Sequence, residues 1–326
     1  MSENKNRSSQ REQDWPVIDP SQAPRYSDVA TFMRTRRMPI DRGLDIALVG
    51  VPYDFGSNVR PGARLGPAAV REASRFIRRF NPVTKIDPFA LVNVADVGDA
   101  AVNAHERLKS IDLIQVTFEE IHAAGAWPLS IGGDHTIPLP ILRVIAKDKS
   151  VGVVQFDAHS DTLDEVIGTK INHATTWRRA VEEGLVDPKR MIQIGLRGSQ
   201  VSESDTAYGH SVGMRVITIE EYEEIGRAKV IEEIGRVVGD GQTYVSFDID
   251  GLDAACAIGT GVPEIGGLSP RDAQVIIRSL TGRQIIGADI CEVAPMYDVT
   301  GHTQLVAANL MFELLCVMAD AKAKHG

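Results

Sequence analysis

Short apolar runs alternate with longer amphipathic stretches along most of the chain. Candidate strands are Asp45-Ile-Ala-Leu-Val-Gly50, Leu91-Val-Asn-Val94, Trp127-Pro-Leu-Ser-Ile131, Val151-Gly-Val-Val-Gln-Phe156, Met191-Ile-Gln-Ile194, Met214-Arg-Val-Ile-Thr218, Thr243-Tyr-Val-Ser-Phe247 and Ile285-Ile-Gly-Ala-Asp289. Several are apolar at successive positions rather than alternating, the pattern of strands covered on both faces. Helical periodicity fills the gaps. Pro67 to Phe80 opens on a proline suited to a first turn. Ser110 to Ala124, Pro138 to Lys147 and Ala174 to Glu183 follow, the last closed by Gly184. Ala228 to Val238, Pro270 to Leu280 and Thr303 to Ala323 complete the set. The alternation predicts an α/β fold, a mostly parallel sheet with helices on both faces. No repeat, low-complexity tract or Pro/Gly/Ser linker divides the chain, so residues 26–326 read as one domain. Residues 1–25 are polar, carry Pro16, Pro20 and Pro24, and read as a tail or an arm laid over a neighbour.

Composition narrows the classes. The 326 residues are 43% hydrophobic and 24% charged, ordinary globular values. The net charge of -9 argues against nucleic acid, because phosphate neutralisation needs a basic face. Three cysteines, an odd number without a CxxC spacing, fit reduced thiols rather than a disulfide framework. The N-terminus has no apolar signal region, and no apolar run is expected to span a bilayer. The expectation is a cytoplasmic protein with no membrane partner.

In open parallel sheets, sites form beyond the carboxyl ends of the strands. Gly132-Gly-Asp-His135, Asp157-Ala-His-Ser-Asp161, Asp248-Ile-Asp-Gly-Leu-Asp253 and Cys291-Glu-Val-Ala-Pro295 all follow apolar strands. Two histidines, His135 and His159, and four aspartates, Asp157, Asp161, Asp248 and Asp250, leave three of those ends. That inventory suits two divalent cations with bridging carboxylates, Mn, Fe, Ni, Co or Zn. On an extended strand Asp157 and His159 would share a side, as would Asp248 and Asp250. One Asp-x-His alone is more often a cap, and one Asp-x-Asp a solvated loop. Together, beside apolar strands where uncompensated carboxylates are costly, they point to metal. Gly259-Thr-Gly261 is either a close approach to a ligand or a plain tight turn.

These motifs, with Arg60-Pro-Gly-Ala-Arg64, Gly66-Pro67 and Glu292-Val-Ala-Pro295, resemble the signatures of the ureohydrolases, the arginase and agmatinase family. The resemblance runs from about Pro24 to the C-terminus. It is nearest the agmatinase-like branch of guanidinobutyrase, guanidinopropionase and proclavaminate amidinohydrolase. It implies a three-layer α/β/α fold, two metals per chain (Mn or Ni), and a homo-trimer or hexamer, or a hetero-oligomer with a related subunit. It also implies that His135, Asp157, Asp161 and Asp248 hold one metal, and that Asp157, His159, Asp248 and Asp250 hold the other. His173 resembles the proton-shuttling histidine and Glu292 the carboxylate that receives the guanidinium. Asp253 resembles a residue supporting the ligands, or else a loop cap. The implied reaction is attack of an activated water on a guanidino carbon. Asp161 aims that water, Glu292 holds the cation and His173 protonates the leaving nitrogen.

The chain departs from that pattern around the substrate. Leu163 stands where many relatives carry Asn, and His173-Ala174-Thr175-Thr176-Trp177 replaces the usual sequence before the next helix. With Val166 and Ile167 these suggest an apolar wall, with Leu163 and Trp177 as substrate contacts beside His173 and Glu292. An apolar rim disfavours a charged tail. The leaning is therefore to guanidine, an alkylated guanidine or a biguanide such as metformin. The alternatives are a guanidino-acid amidinohydrolase or agmatinase, a binuclear hydrolase of other amides, and a non-catalytic metal-binding subunit.

Overall fold

The computed structural model describes residues 23–200, 202 and 205–326; the expected tail lies outside them as far as residue 22. Eight strands form one parallel sheet: β1 (Ile46–Val51), β2 (Val94–Asp99), β3 (Trp127–Gly132), β4 (Val151–Phe156), β5 (Val186–Leu196), β6 (Arg215–Thr218), β7 (Thr243–Asp248) and β8 (Ile285–Cys291), in the order β2-β1-β3-β8-β7-β4-β5-β6. Every strand pair is parallel. The helices are α1 (Gly66–Ala73), α2 (Pro88–Leu91), α3 (Arg107–Ala123), α4 (Pro138–Ile145), α5 (Thr176–Glu182), α6 (Ala207–Val212), α7 (Ile219–Val238), α8 (Pro270–Arg278) and α9 (His302–His325).

Successive strand residues feed two separate cores. Ile46, Leu48, Val154, Phe156, Val245 and Phe247 pack against α1, α7, α8 and α9. Ala47, Val49, Val51, Val151, Val153 and Tyr244 pack against α3, α4 and α5 on the other face. Burial on both faces is why these strands read as continuous apolar runs. Helix α9 is apolar all round because α1, α2, α8 and β8 enclose it. By length and composition it could cross a bilayer, contrary to expectation, but 78% of its most apolar window is buried inside the protein.

Several elements differ from the periodicity reading: the helix expected from Pro67 to Phe80 ends at Ala73 and gives way to a 3-10 turn at Ser74–Phe76, β5 starts at Val186 rather than Met191, and α2 and α6 lie where no helix was expected. The strand expected at Leu91–Val94 begins only at Val94, because Asp87 caps α2 by accepting from the amides of Phe89 and Ala90. The edge strand β2 carries Asp96 and Asp99, which hide it from an apolar count; both pair with Arg71 of α1. Helix α7 starts at Ile219 rather than Ala228, bending at Gly226, whose φ is 75°.

Candidate metal centre

The ends of β3, β4, β7 and β8 bring the predicted polar residues to one edge of the sheet. Turns, not strand alternation, do the converging. β4 stops at Phe156, and Asp157 Oδ1 accepts from the His159 amide at 2.7 Å. β7 passes into a single turn, Ile249–Gly251, where Asp248 Oδ1 accepts from the Asp250 amide at 2.9 Å. The expected shared side on an extended strand is therefore not how either pair is aimed. A Cβ at Gly251 would stand 2.8 Å from the Asp157 amide nitrogen, so only glycine lets these two turns touch.

Two groups of donors result. His135 Nδ1 lies 3.0 Å from Asp157 Oδ2, 2.8 Å from Asp161 Oδ2 and 3.3 Å from Asp248 Oδ2. His159 Nδ1 lies 3.5 Å from Asp157 Oδ1 and 3.2 Å from Asp250 Oδ2. Asp157 thus turns one oxygen to each group. Despite its three carboxylate neighbours, buried His135 Nδ1 makes no hydrogen bond. Ser246 Oγ donates to Asp289 Oδ1 at 2.9 Å, so it accepts from His135 Nε2 at 2.8 Å. That fixes the proton on Nε2 and aims Nδ1 at the carboxylates. A proton on Nδ1 would answer one carboxylate; a divalent cation answers all three. The donors, imidazole and carboxylate, are those such cations take.

The electrostatics lead to the same conclusion. Burial, then the charge of Asp157, pushes Asp161 up to about 6. Burial, with Asp250 and Asp157, holds Asp248 well above the usual carboxylate range. Burial would raise Asp157 too, but His135 and His159 outweigh it and hold it low. A cation among these acids relieves their mutual repulsion.

Glu292 closes the floor. Its backbone is left-handed, φ 61°, as is that of Asp161, φ 52°. Oε1 accepts from the His135 amide at 3.0 Å and contacts His173 Nδ1 at 3.1 Å, while Oε2 is buried without a partner. A Cβ on Gly261 would come within 3.0 Å of Oε2, so that turn serves the site by staying bare. Asn172 and Thr175 form a capping box that sets His173 at the start of its turn. His173 Nε2 meets Asn58 Oδ1 at 3.0 Å. Burial disfavours charge on His173, but Glu292 foremost, then Asp161 and Asp134, raises it to about 9.

A cavity of about 170 Å3 opens over these groups, lined by Asn58, His159, Leu163, His173 and Glu292 among others. Leu163 lies where a substrate contact was expected. Trp177 does not: it is wholly buried, with its ring edge-on to His135 at 5.7 Å, and supports the ligand instead. Half-buried Val166 and Ile167, which is 87% exposed, sit in a turn and are not among the residues lining the cavity. Asp253 is a loop cap, accepting from the amides of Ala255, Gly266 and Gly267. Sequence reasoning missed Asn58, Gln155, Gln193, Ser246 and Asp289. Gln155 donates to Asp157 Oδ2 at 2.7 Å, and Gln193 donates to Gln155 at 2.7 Å. For Gln155, Gln193, Ser246 and Asp289 the available signal was a polar residue inside a buried strand; Asn58, exposed in a loop, carried none.

Comparison with known proteins agrees with this geometry. Residues 44–317 match the model of the arginase family. The chain belongs to the arginase family. It is 47% identical over 308 residues to guanidinopropionase of Pseudomonas aeruginosa, covering 94% of this chain and 97% of that one. It is 47% identical over 290 residues to a mitochondrial agmatinase of Gallus gallus, covering 88% and 85%. The structure of proclavaminate amidinohydrolase from Streptomyces clavuligerus superposes with a TM-score of 0.88 at 37% identity, covering 92% of this chain and 100% of that one. Arginase-family amidinohydrolases are metal-dependent hydrolases of C–N bonds in guanidino compounds, and this chain is one of them. The family works with a binuclear divalent metal centre, and the two donor groups around Asp157 are suited to hold it.

Proposed function

We propose that the chain hydrolyses a small guanidino acid, or agmatine, to urea and the corresponding amine. The relatives' names support this choice over guanidine or a biguanide. The observation that carries it is Glu292 Oε2, a buried, unpartnered carboxylate oxygen at the floor of the cavity. A planar guanidinium supplies the charge-assisted donors such an acceptor lacks.

In this reading His135, Asp157, Asp161 and Asp248 hold one metal, and Asp157, His159, Asp248 and Asp250 the other, Mn or Ni. What the pair would supply when bound is a water acidified into the neutral range. Glu292 fixes the guanidinium so that its carbon faces Asp161. The Asp161 carboxylate takes a hydrogen bond from the attacking oxygen. His173, charged at neutral pH and bracketed by Glu292 and Asn58, gives its proton to the leaving nitrogen.

Chelation should abolish urea release, and restoring Mn or Ni should return it. Asp161→Asn should lower kcat by roughly 10²–10⁴-fold with the thermal midpoint little changed. Wild-type turnover in that variant would remove Asp161 from the mechanism.

One feature favours a second reading, a neutral or alkylated guanidine. Arg197 lines the cavity, but its guanidinium donates to six backbone carbonyls, those of Gly195, Asp250, Gly251, Leu252, Glu264 and Ile265. It has no donor left for a carboxylate tail. Comparing kcat/KM for 3-guanidinopropionate, 4-guanidinobutyrate, agmatine, guanidine and metformin separates the readings.

A further inference from the structure

Each ring nitrogen of His173 faces an oxygen. Nδ1 lies 3.1 Å from Glu292 Oε1, and Nε2 lies 3.0 Å from Asn58 Oδ1. Glu292 Oε1 already accepts from the His135 amide at 3.0 Å, so the proton between it and the ring sits on Nδ1. An amide oxygen is likewise an acceptor, so Asn58 places a second proton on Nε2. Burial disfavours the charged ring, but Glu292, Asp161 and Asp134, at the ends of β8, β4 and β3, outweigh it and support both protons. The Nδ1 proton is committed to the carboxylate that receives the guanidinium. The Nε2 proton is the one free to leave. Asn58 and His173 both line the cavity, so a departing amine meets that proton where Asn58 holds it.

Asn58 is exposed in the loop between β1 and α1, and its own burial does not fix it. The loop is fastened on both sides instead. Before Asn58, the Gly56 amide donates to Asp134 Oδ2 at 2.6 Å. After it, Arg60 Nη2 donates to Thr260 O at 2.6 Å, the Arg60 guanidinium lies 4.2 Å from the centre of the Tyr297 ring, and Tyr297 Oη donates to Pro61 O at 2.8 Å. The turn at Thr260 and Gly261 is the one that lies against Glu292 Oε2. The two partners of His173 are thus tied to each other. A solvated asparagine needs no such fixing for itself, whereas His173, 9% exposed, needs a partner at Nε2.

We infer that Asn58 is a positioning residue for proton transfer: its amide oxygen holds the Nε2 proton of His173 at the cavity wall until the leaving nitrogen takes it. As the C–N bond breaks, its electron pair stays on the departing nitrogen, which accepts that proton. His173 is left neutral, protonated at Nδ1, and regains a proton from water before the next turnover. The inference rests on His173 being the donor, as proposed above.

The test uses the full, metal-loaded chain. Asn58→Leu keeps the size and removes the acceptor; Asn58→Asp keeps an acceptor. Both sit in an exposed loop, so thermal midpoints should stay near that of the wild type. With each guanidino compound of the panel above, Asn58→Leu should lower kcat by about tenfold, the upper worth of one hydrogen bond, with KM little changed. Asn58→Asp should recover most of that loss. In a His173→Asn background, Asn58→Leu should cost nothing further. A readout without turnover is acylation of His173 by diethyl pyrocarbonate, followed by peptide mass spectrometry. Acylation needs an unprotonated ring nitrogen, so it should be faster in Asn58→Leu and not in Asn58→Asp. Wild-type kcat and wild-type acylation in Asn58→Leu would overturn the role. So would a raised KM at unchanged kcat, which would make Asn58 a substrate contact, or losses that add in the double variant. Wild-type kcat in His173→Asn would overturn the donor assignment itself, and the acylation rates would still show whether Asn58 holds the proton.

Discussion

At Glu292 the backbone adopts a φ of 61°, a conformation that costs a non-glycine residue about 1–3 kcal/mol. The strain persists because its amide donates to Gly133 O at 2.8 Å while Oε1 accepts from the His135 amide. One residue thereby ties β8 to β3, with Oε2 left buried and without a partner. Glu292→Gln keeps the shape and removes the charge. A hydrogen bond to a charged group is worth about 1.5–3 kcal/mol, so kcat/KM should fall roughly 10- to 150-fold. The same change acts on His173. Burial pushes that imidazole down, and Glu292 is the largest influence overcoming it to reach about 9. A raised histidine is charged below its pKa and loses its proton above it. A rate that needs His173 as proton donor is therefore present at neutral pH and declines through about 9. In Glu292→Gln the decline should move down toward the ordinary histidine range, near 6.5. An alkaline limb that stays in place in the variant's pH–rate profile would show that His173 is not the donor.

At the scale of elements, the site depends on where strands stop. Gly251 follows β7 by three residues, and its bare Cα lies against the Phe156–Asp157 peptide. In Gly251→Ala the new Cβ would meet backbone atoms at 2.8 and 3.1 Å, neither of which can swing aside as a side chain can. Overpacking of this kind costs about 1–3 kcal/mol. Thermal denaturation should show that loss. Metal titration should show weaker binding as well, since the clash falls between Asp157 and Asp250. A variant with unchanged metal affinity would mean the two turns can separate freely. The strands themselves were legible because both faces are buried. Val151–Phe156 needed only a count of apolar positions, whereas β2 was expected three residues too early because Asp96, inside it, is paired with an arginine 25 residues away in the chain. The donors were legible as acids and histidines at strand ends. Their supports were not, since Asn58, Ser246 and Gln155 acquire roles only through partners that the fold brings near. Trp177 reads as a pocket wall by sequence position and proves to be core, because Trp177 N donates to Asp161 O and α5 turns the ring under His135.

For the whole molecule, the metal centre is also a stability element. β3, β4 and β7 each contribute donors, and the acids they bring together repel one another across the carboxyl edge of the sheet. A cation that binds the folded chain and not the unfolded one stabilises by mass action, about 2.7 kcal/mol at a hundred times Kd. The thermal midpoint should therefore rise with free Mn or Ni concentration, and Asp157→Ala, which removes the carboxylate common to both groups, should flatten that dependence. The gain should also depend on pH with a definite sign. Metal must displace protons from its ligands. Asp161, pushed up to about 6 by burial and Asp157, and His135 and His159, both held well above their ordinary value against burial by the surrounding carboxylates, bind protons more tightly in the folded chain. The Asp161 proton competes with the cation below about pH 6, and those of the two histidines compete to higher pH still. The metal-dependent rise in midpoint should thus be small at pH 5.5 and grow toward pH 8. A rise independent of pH across that window would mean that the cations act somewhere other than at the edge where these strands end.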